Sequence, residues 1–183
     1  LSPSSFIIEI NGERTSFVIN DEIIKIEDFK PNFDTACIFY GDKINSNIFT
    51  KYKQIYLDTA GNSIKDLYNL ADNKNYPKNS IVSISKEYIK DDLIKRFINS
   101  NFIVLAHCPT NTTIFSSDNK ITIKNRYYIN PNELESNDLV TGLGDKFFIL
   151  FSYYNRYQKL NLTESVKQSQ KVIHLSIKKE IHK

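Results

Sequence analysis

The stretch Thr141-Gly142-Leu143-Gly144-Asp145, running straight into the apolar segment Lys146 to Phe151, constrains this chain more than any other. Glycines at a turn that opens a hydrophobic helix let the backbone approach a bound group closely. The first N–H groups of such a helix have no partner inside it and attract an anion. An aspartate at the same place can take the proton of a hydroxyl that attacks a held phosphoryl group. An anion cradle beside a base is the equipment for phosphoryl transfer to an alcohol. The same five residues also suit a tight loop with a helix-capping aspartate. They do not suit the dinucleotide-binding fingerprint, whose third glycine would fall at Phe147.

Around this junction the sequence alternates between strand and helix patterns. Phe6 to Ile10 and Thr15 to Ile19 predict two strands joined through Asn11-Gly12, the strongest short-range hairpin signal. Further strands are expected over Asp34 to Gly41, over Ile55 to Asp58, from Ile81 onward, and over Phe102 to Leu105. Helices are expected over Ile64 to Leu70 and over Lys86 to Asn99, the second from its apolar spacing at Tyr88, Ile89, Leu93, Ile94 and Phe97. Lys146 to Leu160 is apolar almost all round and predicts a buried helix. Thr163-Glu164-Ser165-Val166 predicts a final helix capped by Thr163. Ala71 to Ser80 and Tyr128 to Asn137 are the most loop-like intervals. Such alternation points to an α/β sheet with helices on both faces.

Composition narrows the function. With 40% hydrophobic and 13% aromatic residues over 183, the chain suits one globular domain with a sizeable core. Its net charge of +3 comes from basic residues interleaved with acidic ones, apart from the lysine-rich tail Lys171 to Lys183, so no nucleic-acid face is expected. Two cysteines, Cys37 and Cys108, make no disulfide framework and suit a reducing cytoplasm. No segment approaches the apolar length of a membrane span, and no signal-peptide pattern opens the sequence. A cytoplasmic protein without a membrane partner is expected. The adjacent pair His107-Cys108 would point to opposite faces of a strand. The three histidines, His107, His174 and His182, form no ligand-spaced cluster, so structural roles are expected for His107 and Cys108 and no metal ligand is assigned. The acidic pairs Glu133/Glu135 and Asp91/Asp92 suit solvated positions.

The glycine loop resembles the C-terminal signature of the ribokinase/phosphofructokinase-B family of sugar and nucleoside kinases, commonly Asp-Thr-Thr-Gly-Ala-Gly-Asp-x-Phe. Thr141, Gly142, Gly144, Asp145 and Phe147 match it, and Leu143 replaces the usual alanine. Leu139 and Val140 stand where the family has an Asp and a Thr that commonly organise a monovalent cation. The Gly-Leu-Gly-Asp form is also similar to that of the ADP-dependent sugar kinases, which leaves the donor open. The order of segments agrees with the family. Gly12-Glu13-Arg14-Thr15 is similar to its lid strands, and Asp34 to Gly41, Ile55 to Asp58 and Phe102 to Leu105 resemble its core strands. Two motifs depart from it. Ser85-Lys86-Glu87-Tyr88 stands near the family's Asn-x-x-Glu, and Ala106-His107-Cys108-Pro109-Thr110-Asn111 replaces a glycine-bearing turn beside the nucleotide.

The resemblance implies a ribokinase-like three-layer sandwich with a β-strand lid. Residues 1–183 would be one partial domain, with 5–20 as the lid hairpin and the N-terminal third of the family fold lying ahead of the sequence. It implies ATP and Mg²⁺ as cofactors and a sugar or nucleoside as acceptor. Thr141, Gly142 and Gly144 would bind the donor, and Gly142, Leu143 and Gly144 would form the anion hole. Asp145 would be the general base. A homodimer through the lid strands is expected. The altered motifs keep a second class open, a catalytically impaired relative that binds nucleotide or sugar or serves as a partner subunit.

Overall fold

The computed structural model describes residues 4–10, 13–19, 34–39, 49–50, 52–59, 63–73, 75–129 and 143–181. Two strands, β1 (Ser4–Ile10) and β2 (Glu13–Ile19), form an antiparallel hairpin that pairs Phe6 with Phe17 and Ile10 with Glu13. Asn11 and Gly12, which the sequence places at its turn, lie outside the described residues.

The main sheet has six strands in the order of the chain: β3 (Thr35–Phe39), β4 (Gln54–Asp58), β5 (Ser80–Ser85), β6 (Phe102–Cys108), β7 (Asn111–Phe115) and β8 (Lys120–Lys124). The strands β3 to β6 run parallel, and β7 and β8 complete the sheet as an antiparallel meander. Helix α1 (Ile64–Asp72) crosses from β4 to β5, and α2 (Asp91–Asn99) from β5 to β6. Successive right-handed crossovers in one direction put both helices on one face. The chain then returns as α3 (Leu143–Arg156) and α4 (Leu162–Ile181) on the other.

Alternation along the central strands supplies the two cores. Ile55, Leu57, Val82, Ile84, Phe102 and Val104 pack under α1 and α2, against Leu67, Leu70, Leu93 and Phe97. The intervening Tyr56, Ile81 and Leu105 pack with Ile114 and Ile123 under α3 and α4, against Phe147, Phe148, Phe151 and Val166. Strands buried on both sides favour apolar residues, and β4 to β6 bury Ile, Val, Leu, Tyr and Phe side chains on both faces, with Ser80, Ser83 and Asp58 buried among them.

Local chemistry sets the helix ends. Ser63 accepts from the Asp66 amide while the Asp66 carboxylate accepts from the Ser63 amide, a capping box that starts α1. The segment over Lys86 to Asn99 is not one helix. A short 3-10 turn at Lys86–Tyr88 is followed by extended backbone at Lys90 before α2 begins. Asn101, with a left-handed φ of 72°, stops α2 and turns the chain into β6. At α4 the cap is Asn161, whose side chain accepts from the Glu164 amide at 2.9 Å, and not Thr163. Helix α3 also departs from the all-buried expectation. Its Ile149 and Tyr153 are 52% and 45% exposed. The strands β7 and β8 are an addition that the sequence pattern did not assign.

Candidate functional site

The parallel strands end together at Asp58, Ser85 and Cys108, and open α/β sheets bind ligands outside such carboxyl ends. There a cleft of about 440 Å³ lies between the end of β6, the first turn of α3 and the body of α4. Its floor is Leu143, Gly144 and Phe147 of α3. Phe147 is fixed from below by packing on the sheet, so the α3 face of the core determines where the first turn sits.

One wall comes from the chain after β8. Asn125 organises it. Its backbone N–H donates to the Thr110 carbonyl at 2.8 Å, and its side-chain amide donates to the Pro109 carbonyl at 2.8 Å. Its Oδ1 accepts from the Tyr127 amide at 3.0 Å, an Asx turn that presents Tyr127, Tyr128 and Ile129 to the cleft. The opposite wall is Gln170, Ile173, His174 and Ile177 on α4. Tyr127 and His174 face each other with ring centroids 5.4 Å apart, and among the described residues the buried Nδ1 of His174 has no hydrogen-bond partner. Helix α4 comes close to α3 because small serines line it. Ser165 and Ser169 are buried and donate to carbonyls four residues back, at 2.8 and 2.7 Å.

The rim is His107, Cys108 and Pro109, with Ser85 and Glu87 beside them. His107 and Cys108 both line the cleft. The His107 ring packs on Phe147 with centroids 5.6 Å apart, and burial pushes its pKa down to about 4. Burial pushes the Cys108 thiol up, but bonds with Thr110 and Asn111 and the charge of Lys86 hold it below its ordinary value. Lys86 donates to the Asn111 side chain and so ties the 3-10 turn to the start of β7.

Of the residues singled out in the glycine loop, Leu143, Gly144 and Asp145 occupy the first turn of α3. Leu143 and Gly144 line the cleft, and Asp145 is exposed. Gly144 does not adopt a left-handed φ, and a Cβ there would lie 3.7 Å from His107 Cε1, an ordinary contact. Its lack of a side chain is therefore a matter of access and not of backbone strain. Thr141 and Gly142 lie outside the described residues, as do Glu133 and Glu135. Asp91 and Asp92 are exposed in the first turn of α2. Among the described residues no three or more His, Cys, Asp or Glu converge on a common point, and no helix is long and apolar enough to cross a membrane.

No protein-family model and no curated protein matches the sequence. Solved structures share its fold. One is a pyrophosphate-dependent kinase in the ribokinase family, complexed with a pyrophosphate analog and myo-inositol. It has a TM-score of 0.59 and 13% identity over 89% of this chain and 65% of that one. A sulfate complex of a pyrophosphate-dependent kinase in the ribokinase family gives 0.59 and 14%, over 89% and 64%. The apo adenosine kinase of Trypanosoma brucei brucei gives 0.61 and 11%, over 100% and 64%. The chain thus spans 64–65% of the length of these structures, and its fold is α/β and ribokinase-like.

Proposed function

We propose that this protein transfers a phosphoryl group to a hydroxyl of a sugar, cyclic polyol or nucleoside, with ATP as donor and ADP or pyrophosphate as its alternatives. One observation carries the proposal: the cleft joins the first turn of α3 to a wall of flat rings and branched aliphatics. Unpartnered amides at a helix start suit phosphate, and the Tyr127, Ile173 and His174 wall suits a base. The ribokinase-like neighbours, which include pyrophosphate-dependent kinases and an adenosine kinase, support phosphoryl transfer and keep the donor question open.

In this reading the amides of Leu143, Gly144 and Asp145, with Thr141 and Gly142 ahead of them, stabilise charge that develops on the phosphoryl oxygens. Asp145 accepts the hydroxyl proton as the new oxygen–phosphorus bond forms and the bond to the leaving diphosphate or phosphate breaks. Mg²⁺ is held by one or two carboxylates together with the donor phosphates and water, so it needs no convergent protein cage. Glu87 on the rim is the carboxylate that would hold it, and the ion would supply positive charge against the donor phosphates. The β1–β2 hairpin would serve as lid and as the contact between two copies in one cytoplasmic domain. Free Cys37 and Cys108 support that compartment.

The rim favours a second reading. His107, Cys108 and Pro109 bring side chains to an edge where a glycine turn would leave the backbone open to phosphates. A protein that binds a donor without turning it over is compatible with that edge. Calorimetry with Mg·ATP, Mg·ADP and Mg·pyrophosphate, followed by phosphorus NMR with sugars, inositols and nucleosides, separates the readings. A phosphorylated acceptor supports the kinase. Binding without product selects the second reading, and no binding by any donor overturns both.

A further inference from the structure

We propose that His107 is a donor-positioning residue, whose imidazole N–H holds a non-bridging oxygen of the phosphate group seated at the first turn of α3. The inference rests on the phosphoryl-transfer reading above and adds to it a residue that the glycine loop does not contain.

The placement of the ring is the first support. His107 pairs with Ser85 of β5 and Thr112 of β7, so it stands at the carboxyl edge of the sheet. It shares with Leu105 the face that α3 covers. Phe147 packs on its ring from one side, at 5.6 Å between centroids. Gly144 meets it from another, with only 3.7 Å from Cε1 to the point where a Cβ would stand. The imidazole is therefore held beside the first turn and opens on the cleft. A donor group fixed by packing loses little freedom when a ligand arrives.

The availability of the ring nitrogens is the second support. The ring packs on Phe147, and among the described residues no hydrogen bond engages either nitrogen. The nitrogens are free to meet a ligand in the cleft in place of water. Near neutral pH burial keeps the ring uncharged, with one N–H and one lone pair. An uncharged donor can hold an oxygen of a metal-bound phosphate without competing with the metal for its charge. An aliphatic residue in the same place would pack on Phe147 equally well and offer no such bond.

Replacing the ring tests this. His107→Phe keeps a flat ring on Phe147 and removes both nitrogens, whereas His107→Asn keeps an N–H. We expect His107→Phe to weaken Mg·ATP or Mg·pyrophosphate binding about tenfold and to raise the donor KM alike, with the acceptor KM unchanged. His107→Asn should recover part of the loss. Equal donor affinity in wild type and His107→Phe overturns the inference and leaves the kinase reading standing. So does a parallel rise in the acceptor KM. A wild type that binds no donor overturns both. Should His107→Phe not fold, nitrogen-15 histidine spectra of the wild-type protein decide. A shift of the His107 ring signal on adding Mg·pyrophosphate supports the role, and an unmoved signal under saturating donor overturns it.

Discussion

The Tyr56 hydroxyl donates to Asn155 Oδ1 at 2.6 Å, joining a central strand to the last turn of α3 across 99 residues of chain. Tyr56 is buried with its ring near Phe151, and a buried phenol must spend its O–H on a partner. Asn155 in turn donates to the Leu160 carbonyl at 2.9 Å, which holds the turn into α4. The bond thus pins one end of α3, while Phe147 and Phe148 pin the other, under the cleft.

Tyr56→Phe should therefore cost about 1–3 kcal/mol of stability, since Asn155 Oδ1 is left without its donor. Urea unfolding measures it. Donor affinity should hold, because the first turn of α3 keeps its own anchors. An unchanged unfolding midpoint would mean that the bond contributes nothing in solution.

Asp145→Asn removes the proposed base and keeps the helix amides. Turnover should fall by about 10²–10⁴-fold, with donor affinity nearly unchanged. Steady-state kinetics on an acceptor that the wild type phosphorylates would decide, and a variant retaining more than half of kcat would exclude Asp145 as the base.

Gly144 separates access from strain. Its φ is not left-handed and a Cβ would fit beside His107, so Gly144→Ala should fold normally, with stability equal or raised by up to about 1 kcal/mol. Gly144→Val pushes branched methyls towards His107 and the cleft. Its donor affinity should drop sharply while its far-UV spectrum stays native. Unaltered affinity in the valine variant would remove the anion-cradle reading.

The fold was legible where one signal dominated. The hairpin at Phe6 to Ile19, the strand ending in Asp58 and the capped helix from Ile64 all follow local pattern and turn chemistry. The parallel core strands follow from buried apolar runs. Periodicity failed at Tyr88 and Ile89, whose apolar side chains fit a helical spacing although Lys90 is extended. The strands β7 and β8 fall on short β-branched runs, Thr112-Thr113-Ile114 and Ile121-Thr122-Ile123. A Ser-Ser-Asp turn between such runs is a hairpin signal. In the cleft, glycine chemistry pointed to Leu143 and Gly144, which line it, and to Asp145, which is exposed on the same turn. The Asn125 turn and the α4 wall were not legible, because only tertiary packing brings Tyr127 to His174.

Stability should respond to pH through His107. Its folded pKa, about 4, lies below its ordinary 6.5, so the unfolded chain binds the proton first as pH falls. Stability is then fully present above about 6.5 and is lost as pH falls towards 4, by roughly 3 kcal/mol. At the alkaline end burial holds the Cys37 thiol up to about 12 against an ordinary 9.0, so the unfolded chain releases its proton first and stability falls above about pH 9. Urea midpoints from pH 4 to 10 should show this plateau. His107→Phe should flatten its acid limb, and an unchanged acid limb would assign that slope to other groups.

The β1–β2 hairpin carries the last prediction. Its register pairs Phe6 with Phe17 and Ile8 with Thr15, and the sequence alternation of Phe6, Ile8 and Ile10 with Phe17 and Ile19 predicts one apolar face. A two-stranded ribbon cannot hold such a face in water by itself. It must cover the acceptor side of the cleft, pack on a second copy, or lie on its own domain. If it is both lid and dimer contact, replacing Ile8 and Phe17 together by serine should convert a dimer to a monomer in light scattering. The same variant should weaken acceptor binding, with donor affinity preserved because the α3 cradle is untouched. A wild-type protein that is monomeric at high concentration removes the dimer contact. Acceptor affinity that survives the double substitution removes the lid.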